Sequence, residues 1–290
     1  LGAGSVWGDF NAFAAAVATA TLANAPASAI STFSAVGLSS VTASWMNNGN
    51  PVDVTTYSVV MSTGSTYPNS YFGNVSLTTT PAGAIPTGTV TGLGANTTYY
   101  LYAAAVNHNG VPSAYTALGS TVTLANEPAT AVSTFSAVSN NAFVGAWDGN
   151  GNGAGTLYEA AVSTEAAFPN VNTGNVYVST RPEGAPSAPI TGLSADTTYY
   201  LFARAVSFSG LPTAYTALGA TVTLVNLPTT AVTTFTAVTS VSLTAAWSAN
   251  GNGSGTRYSA VVSTSTPYPN SSAGNVVIAT SPSGTPSANF

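Results

Sequence analysis

Asp148-Gly149-Asn150-Gly151-Asn152-Gly153, with Glu159 six residues further on, matches the calcium-loop spacing D-x-[DN]-x-[DN]-G-x5-E. Hard oxygen donors at alternate positions, closed by a carboxylate that binds through both oxygens, form the donor set that Ca2+ takes. The surroundings oppose that reading. Such a loop joins two helices, whereas Trp147 ends one stretch of alternating residues and Tyr158 lies in the next. Two other copies of the loop lack the acids: Ser248-Ala249-Asn250-Gly251-Asn252-Gly253, with Ser259 in place of the glutamate, and Met46-Asn47-Asn48-Gly49-Asn50-Pro51. A Gly- and Asn-rich hairpin loop accounts for all three, so no metal and no cofactor are expected.

Catalytic chemistry finds less. His108 is the single histidine, in Asn107-His108-Asn109-Gly110, and Phe208 stands at its place in a second copy. There is no cysteine nucleophile, and neither a G-x-S-x-G elbow nor a P-loop occurs. Gly2-Ala3-Gly4 opens no βαβ unit that could cradle a phosphate. Glu159 and Glu165 share no evident cleft in which two carboxylates would flank a glycosidic bond. The chain is expected not to be an enzyme.

What positions these residues follows from composition and repetition. Eight Asp or Glu and three Arg make the 290 residues only 4% charged, against about 25% in ordinary globular chains. Arg181, Arg204 and Arg257 are too scattered to neutralise a nucleic-acid backbone. Disorder is equally excluded, because 45% of the residues are hydrophobic and 14 Tyr and 11 Phe are available to fill cores. No apolar run approaches the ~20 residues that span a bilayer. Solubility rests on Ser, Thr, Asn and Gly, a surface poorly defended against self-association.

Ile30-Ser31-Thr32-Phe33-Ser34-Ala35-Val36 returns as Val132 to Val138 and as Val232 to Val238, and Trp45, Trp147 and Trp247 each follow the Phe of their copy by 12 residues. The period of 100 to 102 residues suits tandem globular modules rather than a solenoid. Within each copy, runs such as Val41, Ala43, Trp45 and Tyr99, Leu101, Ala103, Ala105 alternate with other residues, as strands do. Gly, Asn and Pro clusters divide the runs, which predicts an antiparallel sandwich. Only Phe13 to Thr21, rich in Ala, has helical propensity.

With its Trp on the second strand, its Tyr on the third and the corners Gly92-Leu93…Thr98-Tyr99 and Gly192-Leu193…Thr198-Tyr199, each full repeat resembles a fibronectin type III module, of the kind carried by secreted and cell-surface proteins of prokaryotic type. The resemblance implies an all-β chain of tandem immunoglobulin-like antiparallel β-sandwiches, in which the hydroxyls of Tyr99 and Tyr199 pin the crossover between sheets. It covers residues 25–226 and the first half of a third copy. The expected organisation is a last-strand-like segment at 1–24, repeats at 25–126 and 127–226, and a partial, incomplete repeat at 227–290.

The sequence at 13–22 (FAAAVATATL) parallels 115–124 (YTALGSTVTL), the last strand of the first repeat, while Phe290 aligns with Ile190 in the fifth strand of the second. Two explanations stand side by side: a window on a longer array, or completion of the third sandwich by the N-terminal segment of a neighbour through strand addition. The second makes Trp7, Phe10, Phe13, Val17, Leu22 and Phe290 assembly residues, and a head-to-tail contact of that kind propagates into a filament. If Tyr99 and Leu101 point inward, then Tyr100, Tyr102, Tyr200 and Phe202 point outward beside Val60 and Ala161, an apolar stripe suited to lateral contact or sugar stacking. Sequons at Asn74, Asn96, Asn252 and Asn270 are possible glycosylation sites in a secreted protein. The expected function is that of a non-enzymatic extracellular structural protein at the cell surface, a pilus-like filament subunit with itself as partner. The alternative is a spacer or binding module of a larger adhesin or polysaccharide-active enzyme, in contact with glycans.

Overall fold

The computed structural model describes residues 19–71, 73–181, 185–280 and 285–290, and these form strands, turns and loops without a helix. Described residues up to Leu93, with Thr97–Thr123, make one compact unit; Gly94–Asn96 with Leu124–Phe290 make the other. Of the stretch with helical propensity, residues 13–18 lie outside the described residues, and 19–21 are in neither helix nor strand.

In the first unit run β1 (Ala27–Val36), β2 (Ser40–Met46), β3 (Thr56–Ser62), β4 (Val75–Thr79), β5 (Thr87–Thr91), β6 (Thr98–Val106) and β7 (Thr116–Val122). They build a sheet β1-β2-β5 and a sheet β4-β3-β6-β7, all antiparallel. Alternation sets the faces. Val41, Ala43 and Trp45 are fully buried, while on the other face of β2 the Thr42 hydroxyl bonds that of Thr89 (2.9 Å) and the Ser44 hydroxyl that of Thr87 (3.0 Å). Such cross-strand hydroxyl pairs give the outer surface polar satisfaction without charge. Between the sheets, Trp45 meets Tyr57 edge-on at 5.5 Å, packed with Val59, Met61, Val90 and Leu101. Gly119 in β7 has φ +126 at a register shift, and Phe33 lies against it; a side chain there is strained in that backbone conformation.

The second unit repeats the plan with β8 (Ala129–Ser136), β9 (Ala142–Asp148), β10 (Leu157–Ser163), β11 (Val176–Thr180), β12 (Ser187–Thr191), β13 (Thr198–Val206) and β14 (Thr216–Val222). Their sheets are β12-β9-β8 and β11-β10-β13-β14, around a core with Phe143, Trp147, Ile190 and Leu201. There follow β15 (Thr229–Thr236), β16 (Thr244–Ser248), β17 (Ser259–Val262), β18 (Val276–Ala279) and β19 (Ser287–Asn289). They form a three-stranded sheet β15-β16-β19 and a sheet of two strands, β17-β18, where the other two sandwiches have four.

One expectation about the surface is overturned. Tyr102 and Phe202 are not an exposed stripe but 3% exposed, with Val60 and Ala161 equally covered, while Tyr100 and Tyr200 are half-buried. The loop after β3 folds back over the outer face of the four-stranded sheet. Tyr67 stacks on Tyr102 (5.4 Å) and meets Tyr115 edge-on (4.7 Å); Phe168 does the same to Phe202 (5.1 Å) and Tyr215 (4.7 Å). Apolar residues on an outer face gain by being taken out of water, and here the module covers them itself. Neither Tyr102 nor Phe202 remains available for lateral contact or sugar stacking.

Candidate functional site: an open strand edge and the module clamps

The asparagines of the supposed calcium loop are occupied by the polypeptide. Asn152 Oδ1 accepts the Asn126 N–H (2.7 Å) and its Nδ2 donates to the Asn126 carbonyl (2.9 Å); Asn126 Nδ2 donates to Asn150 O (2.8 Å) and Asn150 Nδ2 to Glu127 O (3.0 Å). Asp148 Oδ1 accepts the Asn150 N–H at 2.7 Å. Glu159 sits on β10 and is held by Arg204 of β13, with Oε2 2.6 Å from the guanidinium, whose carbon lies 4.6 Å above the Tyr215 ring. Among the described residues no group of three or more His, Cys, Asp or Glu could hold a metal ion.

The same four bonds recur at the third sandwich, with Asn226 on Asn252 (2.6 and 2.9 Å) and Asn226, Asn250 and Leu227 completing the set. They recur in the first unit, with Asn24 on Asn50 (2.8 and 2.8 Å), Asn24 on Asn48 and Asn48 on Ala25. Asn48, Asn150 and Asn250 have φ of 53, 52 and 52, the left-handed region that Asn tolerates better than most residues. The Asn-x-Asn spacing is therefore a peptide clamp. Its partner residues, Asn24, Asn126 and Asn226, escape a motif search, although each stands two residues before a linker proline at the repeat period. Removing Asn252 by Asn252→Ala leaves the Asn226 N–H and carbonyl without their partners. About 1–3 kcal/mol of local stability should be lost, read as faster hydrogen exchange at Asn226 with exchange in β10 unchanged.

These bonds also overturn two of the sequons. Asn96 is fully buried, its Nδ2 donating to the Thr156 hydroxyl (2.7 Å) and its Oδ1 accepting the Phe208 N–H (2.7 Å). Asn252 is 9% exposed and clamped as above. Neither amide can carry a glycan without losing those bonds. Asn74 and Asn270 are half-buried and brace their own turns, Asn74 on Asn69 (2.8 Å) and Asn270 on Pro267 (2.8 Å). The Thr256 hydroxyl donates to the Asp196 carboxylate, at the position where Thr156 meets Asn96.

At the corners, the Ser194 N–H donates to the Tyr199 hydroxyl (3.0 Å), and Tyr99 and Tyr199 are 4% and 5% exposed. Burial raises the pKa of Tyr57 and of Tyr158, opposed in Tyr158 by the hydrogen bond from Asn152 Nδ2 to its hydroxyl (3.4 Å). His108 is exposed in the β6–β7 loop.

Among the described residues, the third sandwich departs from the pattern of the other two. β3 pairs with β4 on one side and β6 on the other, and β10 with β11 and β13. β17 pairs with β18, and among the described residues nothing pairs with its other edge. The Thr280 N–H donates to the Tyr258 carbonyl (2.8 Å). By strand alternation the backbone groups of Tyr258, Ala260 and Val262 face β18, and those of Ser259, Val261 and Ser263 face the open edge. Beside it lies a cleft of ≈ 450 Å³ lined by Phe235, Trp247, Tyr258, Ala260, Val262 and Phe290. Trp247 is only half-buried where Trp45 and Trp147 are 0% and 1% exposed, and Phe235 is 58% exposed. Phe290 extends the pairing of β16 with β19, exchanging backbone bonds with Leu243 (2.8 and 2.9 Å). Leu22 is 78% exposed; Trp7, Phe10, Phe13 and Val17 lie outside the described residues.

No protein-family model matches the sequence, and no curated protein does. Among solved structures, the chain is similar to a two fibronectin type-III domain segment from chicken tenascin, at 14% identity and a TM-score of 0.43, covering 69% of this chain and 100% of that one. It is also similar to the FN1-FN3 domains of chicken CNTN1, at 12% identity and a TM-score of 0.33, covering 92% of this chain and 87% of that one. By its own strand order, three strands facing four and then three facing two, the chain is a tandem array of fibronectin type III-like β-sandwiches.

Proposed function

We propose that this chain is a non-enzymatic extracellular structural protein. In this reading it is the subunit of a surface filament that assembles head-to-tail when the N-terminal segment of one copy adds a strand to the third sandwich of the next. The open edge of β17, with its apolar cleft, carries the reading: an unpaired strand edge beside a half-buried Trp and an exposed Phe is a template for another strand. Three features support it. The surface is almost without charge. The asparagine clamps tie each linker to the loop of the module that follows, and Asn24 makes the clamp for the first module that Asn226 makes for the third. The organisation into 1–24, 25–126, 127–226 and 227–290 follows the same clamps.

Hydrogen exchange of the full chain, dilute and assembled, tests this. Amides of Ser259, Val261 and Ser263, which face the open edge, should slow about a hundredfold or more on assembly, while those of 157–163, already paired on both edges, stay unchanged. Equally slow exchange at Ser259, Val261 and Ser263 in the dilute monomer would mean that the edge is covered by its own polypeptide, and the reading fails.

A further inference from the structure

We propose that the outer face of the second sandwich carries a saccharide site, where a neutral oligosaccharide stacks on Tyr177 and hydrogen-bonds to Glu159, Ser179, Arg204 and Tyr215. Strand register assembles it. Glu159 of β10 pairs with Ser179 of β11 on one side and with Arg204 of β13 on the other, and Tyr215 immediately precedes β14. These four residues form one row across the sheet, and Tyr177 lies two positions from Ser179 along β11, on the same face. Together the five line a cleft of ≈ 400 Å³. All belong to the second sandwich, apart from β17 and its open edge.

The first sandwich has the same row in a closed form. There Thr78, Ser58 and Ala104 hold the places of Ser179, Glu159 and Arg204, Ser76 holds that of Tyr177, and the Ser58 hydroxyl is spent on that of Tyr115 (2.8 Å). In the second sandwich Glu159 and Arg204 make the only ion pair among the described residues, at 2.6 Å. A partly exposed pair contributes little to stability; what it adds is hydrogen-bonding atoms. Arg204 Nε and Nη2 both go to Glu159 Oε2. Glu159 Oε1, Arg204 Nη1 and the hydroxyls of Ser179 and Tyr215 have no hydrogen-bond partner among the described residues. Tyr177 is 61% exposed, with Phe168 6.1 Å from its ring, and Arg204 lies 4.6 Å over Tyr215. The groups are thus held before a ligand arrives, which lowers the cost of binding.

Acceptors and donors side by side suit adjacent sugar hydroxyls, which do both, and an exposed ring suits the C–H face of a pyranose. Glu159 offsets the Arg204 charge, so phosphate and other strong anions are disfavoured. A peptide cannot add here as a strand, because β10 and β13 are paired on both edges. Three strand gaps of about 4.8 Å make the row about 14 Å long, longer than one pyranose ring, so the ligand is a chain of sugars.

Calorimetric titration of the full chain with cellohexaose, maltohexaose, laminarihexaose and chitohexaose tests this, with hexagalacturonate as the charged comparison. At least one neutral hexamer should bind saturably. Tyr177→Ser and Glu159→Ser should each weaken that binding about tenfold, and Tyr177→Phe, which keeps the ring, should retain it. Both serine variants should leave the circular dichroism unchanged, because the first sandwich folds with Ser76 and Ser58 at those places. No saturable binding of any neutral hexamer, tighter binding of hexagalacturonate, or binding that Tyr177→Ser leaves unaltered would each overturn the assignment.

Discussion

Val261→Pro should leave the chain folded and monomeric, with association weakened about a hundredfold or more, measured by sedimentation and by filament length in electron micrographs. The Val261 N–H faces the open edge of β17, because the Tyr258 carbonyl three residues before it is bonded to Thr280. Proline removes that donor and puts a ring where an added strand must approach, which is tolerated on an edge and not inside a sheet. The bonds from Tyr258, Ala260 and Val262 toward β18 are on the other side, so β17 keeps its existing partner. Each lost main-chain bond accounts for about 0.5–1.5 kcal/mol, and the ring's obstruction adds to it; a hundredfold corresponds to about 2.8 kcal/mol. Val261→Ala is the control. Alanine is what the second sandwich carries at Ala161, fully buried between two partner strands, so this variant should assemble. Unchanged association of Val261→Pro would show that no strand is added at this edge.

Trp147→Ala should destabilise the second sandwich by about 4 kcal/mol, the cost of emptying a closed aromatic site. Trp147 is 1% exposed and packs edge-on with Tyr158 at 6.0 Å, between two complete sheets. Trp247→Ala makes the same change at a half-buried ring that meets Tyr258 at 5.7 Å and lines the open cleft. In the dilute chain its cost should be less than half as large, because part of that ring is never removed from water. In assembled material it should rise toward the Trp147 value as the incoming strand closes the site. The array is not a single two-state unit, so the quantity to follow is opening of individual strands by hydrogen exchange: β9 and β10 for the first variant, β16 and β17 for the second. Equal costs for the two substitutions in the dilute chain would mean that the third core is already closed.

Much of the fold is legible in the residues. Val41, Ala43 and Trp45 alternate with Ser and Thr because a strand with one buried face must, and a period set by three Phe–Trp pairs needs no structure to be seen. The corner residues Tyr99 and Tyr199 belong to the same layer of information, since a local motif implies its own geometry. The faces of β6 are different. Alternation correctly separates Tyr99 and Leu101 from Tyr100 and Tyr102, but the separation does not say what covers the second set. That depends on the loop that brings Tyr67 onto Tyr102 from 35 residues away, a closure with no periodic signal.

The asparagines mark the boundary most clearly. Asp148, Asn150, Asn152 and Glu159 have the spacing of an oxygen cage, and spacing was all the chain by itself could offer. Whether an Asn side chain points its oxygen at a cation or uses both oxygen and nitrogen on a peptide depends on what is placed opposite. Tertiary structure placed Asn126 there, and set Arg204 beside Glu159. Composition, repeat length, strand pattern and corner motifs were determined locally by the sequence, because each follows from neighbours along the chain. Which polar groups are consumed, which aromatics are covered and which strand edge stays open were decided only when distant segments packed, because hydrogen bonds and burial are properties of the pair and not of either residue.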